Sequence, residues 1–588
     1  MNNRAGSPCL LFATHGGMHY YGAPVQSGHS PVPSGSIDSP DVRMPGARVE
    51  VLPYSHAPTA RATEALKTVL HDVFGTAADV RVLPSVAYGA EIDDVPDAAG
   101  GPVCRVVLVS TAQTPEAHVL AAHLAFLDGN YTGSLAELAA ARGGGRAAQD
   151  ARELQPLAQS TAAAVSGFTE QKSPSGRFIV RFQPGKDGWL VPYAFEALDA
   201  AWERIGEDLG ERPEKPVLVE IYPEVGHLAK VSSLTIKEIE TSGTIALCKY
   251  NRVMIVTPRA LVRGYPWLDT LAHEYTHYVV TRASRDTVPI WLHEGLAKFQ
   301  EQRWRSDPAA LRMSRTMQHL LALALKKNRL ITFEQMHPSM AKLPSQEAAA
   351  TAFAEVYTAI QFLHETQGYA GIRAILAHMR DGKSDHRAIA EATGKSFEAW
   401  EASWRRWLRG RDLVLEPRLV PTELEFADAR KKRSGAGDEA DLKRISEDKV
   451  RRHARLGGLL RARGRLAAAA VEYERAREVP AGKDDPFVSA KLARTYLELG
   501  RAKDAVAAAG PALDLTDELA GPHATVGAAL LADGQHAAAR KHLEAALRIS
   551  PFDPAVHCGL AEVFAATDDP RAAREASACK GLAAGQEP

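Results

Sequence analysis

Apolar residues change their spacing several times along this chain, and each change marks a new kind of element. In "RVEVLPY", "VRVLPSVAYG" and "VCRVVLVS" they run as short strands do, while "ARATEALKTVLHDVFG" repeats at helical spacing, so residues 47–165 open as a small α/β unit. Its closing part, "AHVLAAHLAFLDGNYTGSLAELAAA", reads as a helical hairpin turning at Gly129 and serving as a connector. Residues 1–46 show no apolar period and are expected to be unstructured.

A second domain is expected over residues 170–412. "RFIVRF" alternates as a strand, and "YAFEALDAAWERIGEDLG" puts Phe195, Leu198, Trp202, Ile205 and Leu209 along one helix face. "PVLVEIYP" and "NRVMIVTP" are further strands, each closed by a proline that cannot donate to a ladder. A small sheet therefore precedes the helical stretch "LDTLAHEYTHYVV".

After Trp407 the pattern dissolves into "DARKKRSGAGDEADLKR", which mixes both charges without apolar spacing and reads as a charged, solvated linker over residues 413–446. A longer period then begins. Gly464, Gly500, Gly534 and Asp568 fall thirty-six, thirty-four and thirty-four residues apart, each between two Ala/Leu-rich helical segments, a spacing similar to that of tetratricopeptide repeats over residues 447–582. Pro511 is expected to interrupt the second helix of the second repeat, and the fourth repeat reads as an incomplete cap. Stacked helical hairpins form a concave surface, so a protein partner is expected there.

Charge changes this picture little. Lys and Arg number 70 against 71 Asp and Glu, which gives no overall field toward nucleic acid. Five scattered cysteines, Cys9, Cys104, Cys248, Cys558 and Cys579, form no CxxC pair and read as buried or inert thiols. The chain has no stretch of membrane-spanning length, and "CLLFA" is too short for a signal peptide, so a cytoplasmic location is the default expectation.

The chemistry lies in "AHEYTHYVV". His273 and His277, four residues apart, share one helix face and can aim ring nitrogens at one ion, while Glu274 stands about 100° round the axis, free to act as a base on water. Asp269 suits the start of that helix. A third ligand comes from "VPIWLHEGLAKF": Pro289 opens a second helix, a short loop reverses the chain, and Glu294 is the natural donor, with His293 the alternative. Gly295 lets two helices approach closely, and Trp291, Leu292, Leu296 and Phe299 are core residues. A third histidine in the metzincin arrangement is ruled out, because Val280 and Ala283 occupy the glycine and histidine positions. Glu301, beyond the ligand, reads as a surface glutamate rather than as a carboxylate orienting a ligating histidine.

"AHEYTHYVV" followed by "PIWLHEGLAKFQE" resembles the gluzincin metallopeptidases, in particular the bacterial peptidase MA-like families. The resemblance extends over roughly residues 170–410 and includes "GRFIVRF", "PVLVEIYP" and "YTAIQFLHETQGYAGIRAIL". It implies a thermolysin-like fold with a small sheet over a helical HExxH subdomain, within a multidomain α+β chain that ends in an all-α solenoid. It also implies one Zn²⁺ per chain on His273, His277 and Glu294, with Glu274 as base in hydrolysis of a peptide or protein substrate. Gluzincins place a tyrosine or histidine after the glutamate ligand to donate to the oxyanion, and Tyr357 is the candidate here. Sixteen residues separate His277 from Glu294, fewer than in the aminopeptidase N-like branch. "SGTIALCKYN" lacks the amine-binding glutamate of the aminopeptidases, although Gly243 could mark a comparable edge strand. The competing expectation is a non-catalytic repeat scaffold carrying an inactive or latent peptidase-like domain. The intact Glu274 favours the enzyme.

Overall fold

The computed structural model describes residues 115–585 apart from 142–144, 285, 338, 417–418, 420–423, 428–440 and 516–518, together with six strands between residues 9 and 108. Those strands are β1 (Cys9–Thr14), β2 (Gly17–Tyr21), β3 (Pro33–Ser36), β4 (Arg48–Pro53), β5 (Asp79–Val82) and β6 (Val103–Leu108). They pair in the order β3-β2-β1-β6-β4-β5, parallel from β1 to β5 through β6 and β4. Residues 9–36 were expected to lack structure and instead supply three strands. "CLLFAT" is apolar enough to be an inner strand, and a run of six residues is too short to register as a period. The helix expected over residues 60–75 lies outside the described residues.

Helices α1 (Pro115–Leu127) and α2 (Tyr131–Ala140) form the hairpin about Gly129, and α3 (Gly145–Ala164) leads into the second sheet. Its strands are β7 (Thr169–Lys172), β8 (Phe178–Phe182), β9 (Val217–Tyr222), β10 (Ala246–Lys249) and β11 (Arg252–Val256), in the order β10-β11-β9-β8-β7. β8 alternates buried and half-buried residues, whereas β9 and β11 are buried along their whole length, as central strands covered on both faces must be. Between the strands lie α4 (Val191–Leu209), α5 (Val225–Val231) and α6 (Ile236–Ser242). Gly243 ends α6 and stands outside the edge strand β10, which begins at Ala246.

One face of this sheet buries charge. Glu220 and Arg252 are fully buried and pair at 3.0 Å; Glu220 also accepts from Tyr131 at 2.6 Å, Tyr222 at 2.5 Å and Arg181 at 3.0 Å. The Arg252 guanidinium lies 5.0 Å from the rings of both Phe126 and Tyr131. This network ties the α1–α2 hairpin to the sheet, since an unpaired charge there would be far costlier than the pair.

The opposite face carries α4 and α7 (Trp267–Ser284), with Tyr275 edge-on to Phe178 at 5.5 Å. Below them follow α8 (Ile290–Gln300), α9 (Arg315–Lys326), α10 (Gln346–Arg380, interrupted at Gly368), α11 (Asp385–Thr393) and α12 (Phe397–Arg409). Part of the expected linker is ordered against this domain. Val262 donates to Glu425 at 2.9 Å and Ala427 to Ala260 at 2.7 Å, because the alternating "LEF" can pair as a strand does.

Four helical pairs complete the chain: α13 (Asp448–Ala462) with α14 (Leu466–Glu478), α15 (Pro486–Glu498) with α16 (Ala502–Leu515), α17 (Ala520–Ala532) with α18 (His536–Ile549), and α19 (Pro554–Ala565) with α20 (Ala572–Ala584). Gly464, Gly500, Gly534 and Asp568 all adopt φ between +52° and +75° at the hairpin turns, which is why the period shows at glycine and its nearest substitute. Pro511 does not interrupt α16, whose buried Ala505, Ala508, Ala509, Ala512 and Leu515 hold it in place. The fourth pair is complete, and Cys558 and Cys579 are disulfide-bonded across it rather than remaining as thiols. Among the described residues no helix is long and apolar enough to cross a membrane.

The last two pairs do not hang free. Leu543, Ala546, Leu560, Val563 and Phe564 belong to the same core as the sheet and α7, whereas the first two pairs build a second core together with Val526 and Ala529 of α17. Tyr193 donates to the buried Glu575 at 2.8 Å, His557 meets Glu575 at 2.7 Å, and Arg574 pairs with Glu196 at 3.0 Å. The Tyr265 N–H donates to the Ile549 carbonyl at 3.0 Å, just before α7 begins. Gly264 makes that approach possible: its φ is +71°, and a Cβ there would stand 2.2 Å from the Ile549 oxygen. Gly264→Ala is therefore expected to destabilise the protein by about 2 kcal/mol or more, read as a lowered midpoint in urea unfolding.

Candidate functional site

Helix α7 is buried through most of its length, so its polar residues are held by neighbours rather than by water. Asp269 does not cap the helix: it accepts from Trp304 at 2.9 Å and from Arg305 Nε and Nη2 at 2.8 Å each, tying the chain beyond α8 to the start of α7. One turn on, His273 and His277 present their Nε2 atoms 3.1 Å apart.

Pro289 precedes α8 in an extended conformation, and the helix returns the chain over α7. It lies close against α10, where a Cβ on Gly295 would meet Ile360 Cγ1 at 2.8 Å and the Val356 carbonyl at 3.1 Å. That approach sets the position of Glu294, whose Oε2 lies 3.4 Å from His273 Nε2 and 3.3 Å from His277 Nε2. The two nitrogens and one oxygen thus form a nearly equilateral triangle. Ligands about 2.0–2.1 Å from a tetrahedral ion stand roughly 3.3–3.4 Å from one another, so this donor set has the dimensions and chemistry to hold a metal. The Glu294 side chain is 21% exposed.

Glu274 adjoins the triangle, with its carboxylate within 4.8 Å of the histidine nitrogens. It accepts a hydrogen bond from the Cys248 N–H on the edge strand β10. Burial raises its pKa above the ordinary carboxylate range, while the two histidines and that hydrogen bond pull the other way. In the metal-free protein burial opposes protonation of His273, but Glu294, Glu301 and Glu274 outweigh it and raise its pKa to about 9. Burial likewise opposes ionisation of Glu294, yet His277 and His273 hold its pKa well below the usual range.

Two outer partners fix the rings. His293 is not in the triangle. Its Nδ1 lies 2.5 Å from His277 Nδ1, with the rings 14° from coplanar and their centroids 4.5 Å apart, which is an edge-to-edge arrangement rather than a stack. Burial, with the charge on His277, pushes the His293 pKa down to about 3, so its ring is neutral. With His277 Nε2 facing the triangle, His277 Nδ1–H donates to His293 Nδ1, and His293 Nε2–H donates to Thr281 Oγ1 at 3.2 Å. On the other side Glu301 Oε2 lies 3.7 Å from His273 Nδ1 and 2.8 Å from Lys298 Nζ. Glu301 is thus a largely buried carboxylate facing His273 and not the surface residue expected; it falls two helical turns after Glu294, on the same face, and that spacing was the available signal.

On α10, Phe353 stands edge-on to His273 at 6.0 Å. Tyr357, one turn later and 4% exposed, packs on Phe299 at 5.5 Å; burial, followed by the Glu301 charge, pushes its pKa above the tyrosine range.

His293→Leu is expected to weaken metal binding about 10–100-fold, while His293→Asn, whose Oδ1 can replace Nδ1 as acceptor, stays within about threefold of wild type; chelator competition reads both. A group raised from 6.5 to about 9 stabilises the folded metal-free protein fully below pH 6.5, and that contribution is lost as the pH rises through 9. Metal-free protein should therefore lose stability over that window, and metal uptake at neutral pH should release a proton, measured by calorimetry in buffers of different ionisation enthalpy.

Residues 197–410 match the family model described as the Peptidase MA superfamily. No curated protein matches the chain. Among solved structures, native leukotriene A4 hydrolase from Saccharomyces cerevisiae is 11% identical with a TM-score of 0.28, over 71% of this chain and 67% of that one. The Cut9–Hcn1 hetero-tetramer of the APC/C is 12% identical with a TM-score of 0.23, over 81% of this chain and 80% of that one. Likeness this slight carries no weight for fold or activity. The family match bears on residues 197–410, which are similar to the Peptidase MA superfamily.

Proposed function

We propose that this protein is a zinc-dependent peptidase that hydrolyses peptide bonds of a peptide or protein substrate, with His273, His277 and Glu294 as ligands of one Zn²⁺. The observation that carries this reading is the triangle of two histidine nitrogens and one glutamate oxygen, with Glu274 alongside and the edge strand β10 against it. When bound, zinc supplies Lewis-acid polarisation of a carbonyl and brings the pKa of water toward neutrality.

The chain's own residues do the rest. Glu274, with its pKa raised by burial, takes a proton from water on one carboxylate oxygen and delivers it to the leaving amine. The Cys248 N–H holds that carboxylate in place. β10 stands at the end of the sheet order, and an extended peptide pairing on its outer edge would carry its scissile bond past Glu274. The Thr281–His293 pair and Glu301 keep both ligating rings in one tautomer and one orientation. The helical pairs after residue 447 recruit a protein partner or the substrate itself.

Glu274→Gln should retain metal, measured by elemental analysis, and cleave a mixed protein substrate at least about a hundredfold more slowly. A wild type without metal, or a variant that still cleaves, would sink the reading. For Tyr357→Phe, a hydroxyl donating to the oxyanion would cost about tenfold or more in kcat, whereas one packed behind Phe299 costs less than about threefold. The smaller loss is expected, with KM little changed.

A further inference from the structure

Helix α13 opens the repeat array and carries an unusual outer face. Residues 449–465 contain seven Lys and Arg and no Asp or Glu, in a chain whose net charge is −1. Arg451 and Arg461 are paired, with Asp448 at 2.7 Å and Glu498 at 2.7 Å. Lys449, Arg452, Arg455 and Arg463 are exposed and, among the described residues, have no ion-pair partner. Between them stand Leu456 and Leu459, 45% and 49% exposed. At 100° per residue these six positions fall within about one third of the helix surface.

The repeat itself says what belongs on this face. One period later, Leu456 corresponds to Leu492 and Leu459 to Thr495; one period further they correspond to Val526 and Ala529. Those four residues are at most 2% exposed. In each later pair the first helix packs against the second helix of the pair before it: α15 against α14, α17 against α16 and α19 against α18. Among the described residues α13 has no such predecessor, so its leucines occupy positions that the fold elsewhere fills with a helix. Terminal repeats ordinarily present a polar outer face; this one keeps its leucines and surrounds them with arginine.

We propose that the outer face of α13 docks an acidic amphipathic helix from a partner protein, with apolar residues on Leu456 and Leu459 and carboxylates on Lys449, Arg452, Arg455 and Arg463. Charge selects the occupant. A second copy of the same face would set arginine against arginine. A membrane surface needs a long apolar stripe, and two leucines do not make one. A nucleic-acid backbone needs cations but has no use for leucines between them. The surface is independent of the metal site and stands whatever the peptidase domain does.

The probe is a synthetic, fluorescein-labelled helical peptide with leucines at i, i+3, i+4 and i+7 flanked by glutamates, titrated by anisotropy with the full chain at about 0.15 M salt. Wild type should bind it. Leu456→Ser/Leu459→Ser and Arg452→Glu/Arg455→Glu should each weaken binding at least about tenfold, and a peptide of the same composition with scattered leucines should bind about tenfold more weakly to wild type. All six positions are outside the core, so the melting transitions of the variants should match wild type, and this separates lost docking from lost folding. The proposal is overturned if wild type does not bind the peptide, or if the variants bind it as well as wild type does. It is equally overturned if phosphatidylserine vesicles or a DNA duplex bind through these residues and the peptide does not, or if sedimentation shows a dimer that the leucine variant dissolves.

Discussion

The distance between α8 and α10 governs the site. Glu294 reaches the two histidines only because Gly295 puts no side chain between its helix and the Val356 carbonyl and Ile360 of α10. A single added carbon there would push α8 outward and draw the carboxylate away from both nitrogens, and core packing of this density has little slack to absorb the shift. The histidines are set differently. Their spacing is intrinsic to α7, and what the surroundings add is ring orientation, through His293 on one side and Glu301 on the other. Two helices thus supply the donors, and a third fixes their separation.

Much of this site is legible in the residues. The i, i+4 histidines and the glutamate between them follow from helix geometry, and Glu294 follows from the proline, the short loop and the glycine that must return a helix over the first. Tyr357 shows where such reasoning ends. Phe353 and Tyr357 lie one turn apart on the same helix, and the sequence says that both face inward without saying which of them meets His273. Glu301 was misjudged for a related reason: a glutamate on a helix is usually exposed, and only the position of His273 shows otherwise.

Contacts between distant segments were the least legible. The period of the repeats appears because a left-handed turn demands glycine, yet nothing in that period shows that the last two pairs share a core with the sheet. Cys558 and Cys579 read as isolated thiols along the chain and become neighbours only when α19 and α20 fold back on each other. The buried Tyr193, His557 and Glu575 likewise look like ordinary surface residues until the fourth pair is seated on α4. Hydrophobic pattern reports that a face is covered. It does not report what covers it.

The close approach at Gly264 has a bearing on how the protein is made. The start of α7 is completed by a carbonyl from Ile549, and part of its surrounding core comes from α18 and α19. A ribosome delivers the histidine helix long before it delivers those partners, so the nascent chain carries the candidate metal ligands without the frame that positions them. Synthesis of α18, and not of the motif alone, supplies the carbonyl that completes the start of α7. A chain broken off early would therefore carry every residue of the centre and lack the structure that makes them one.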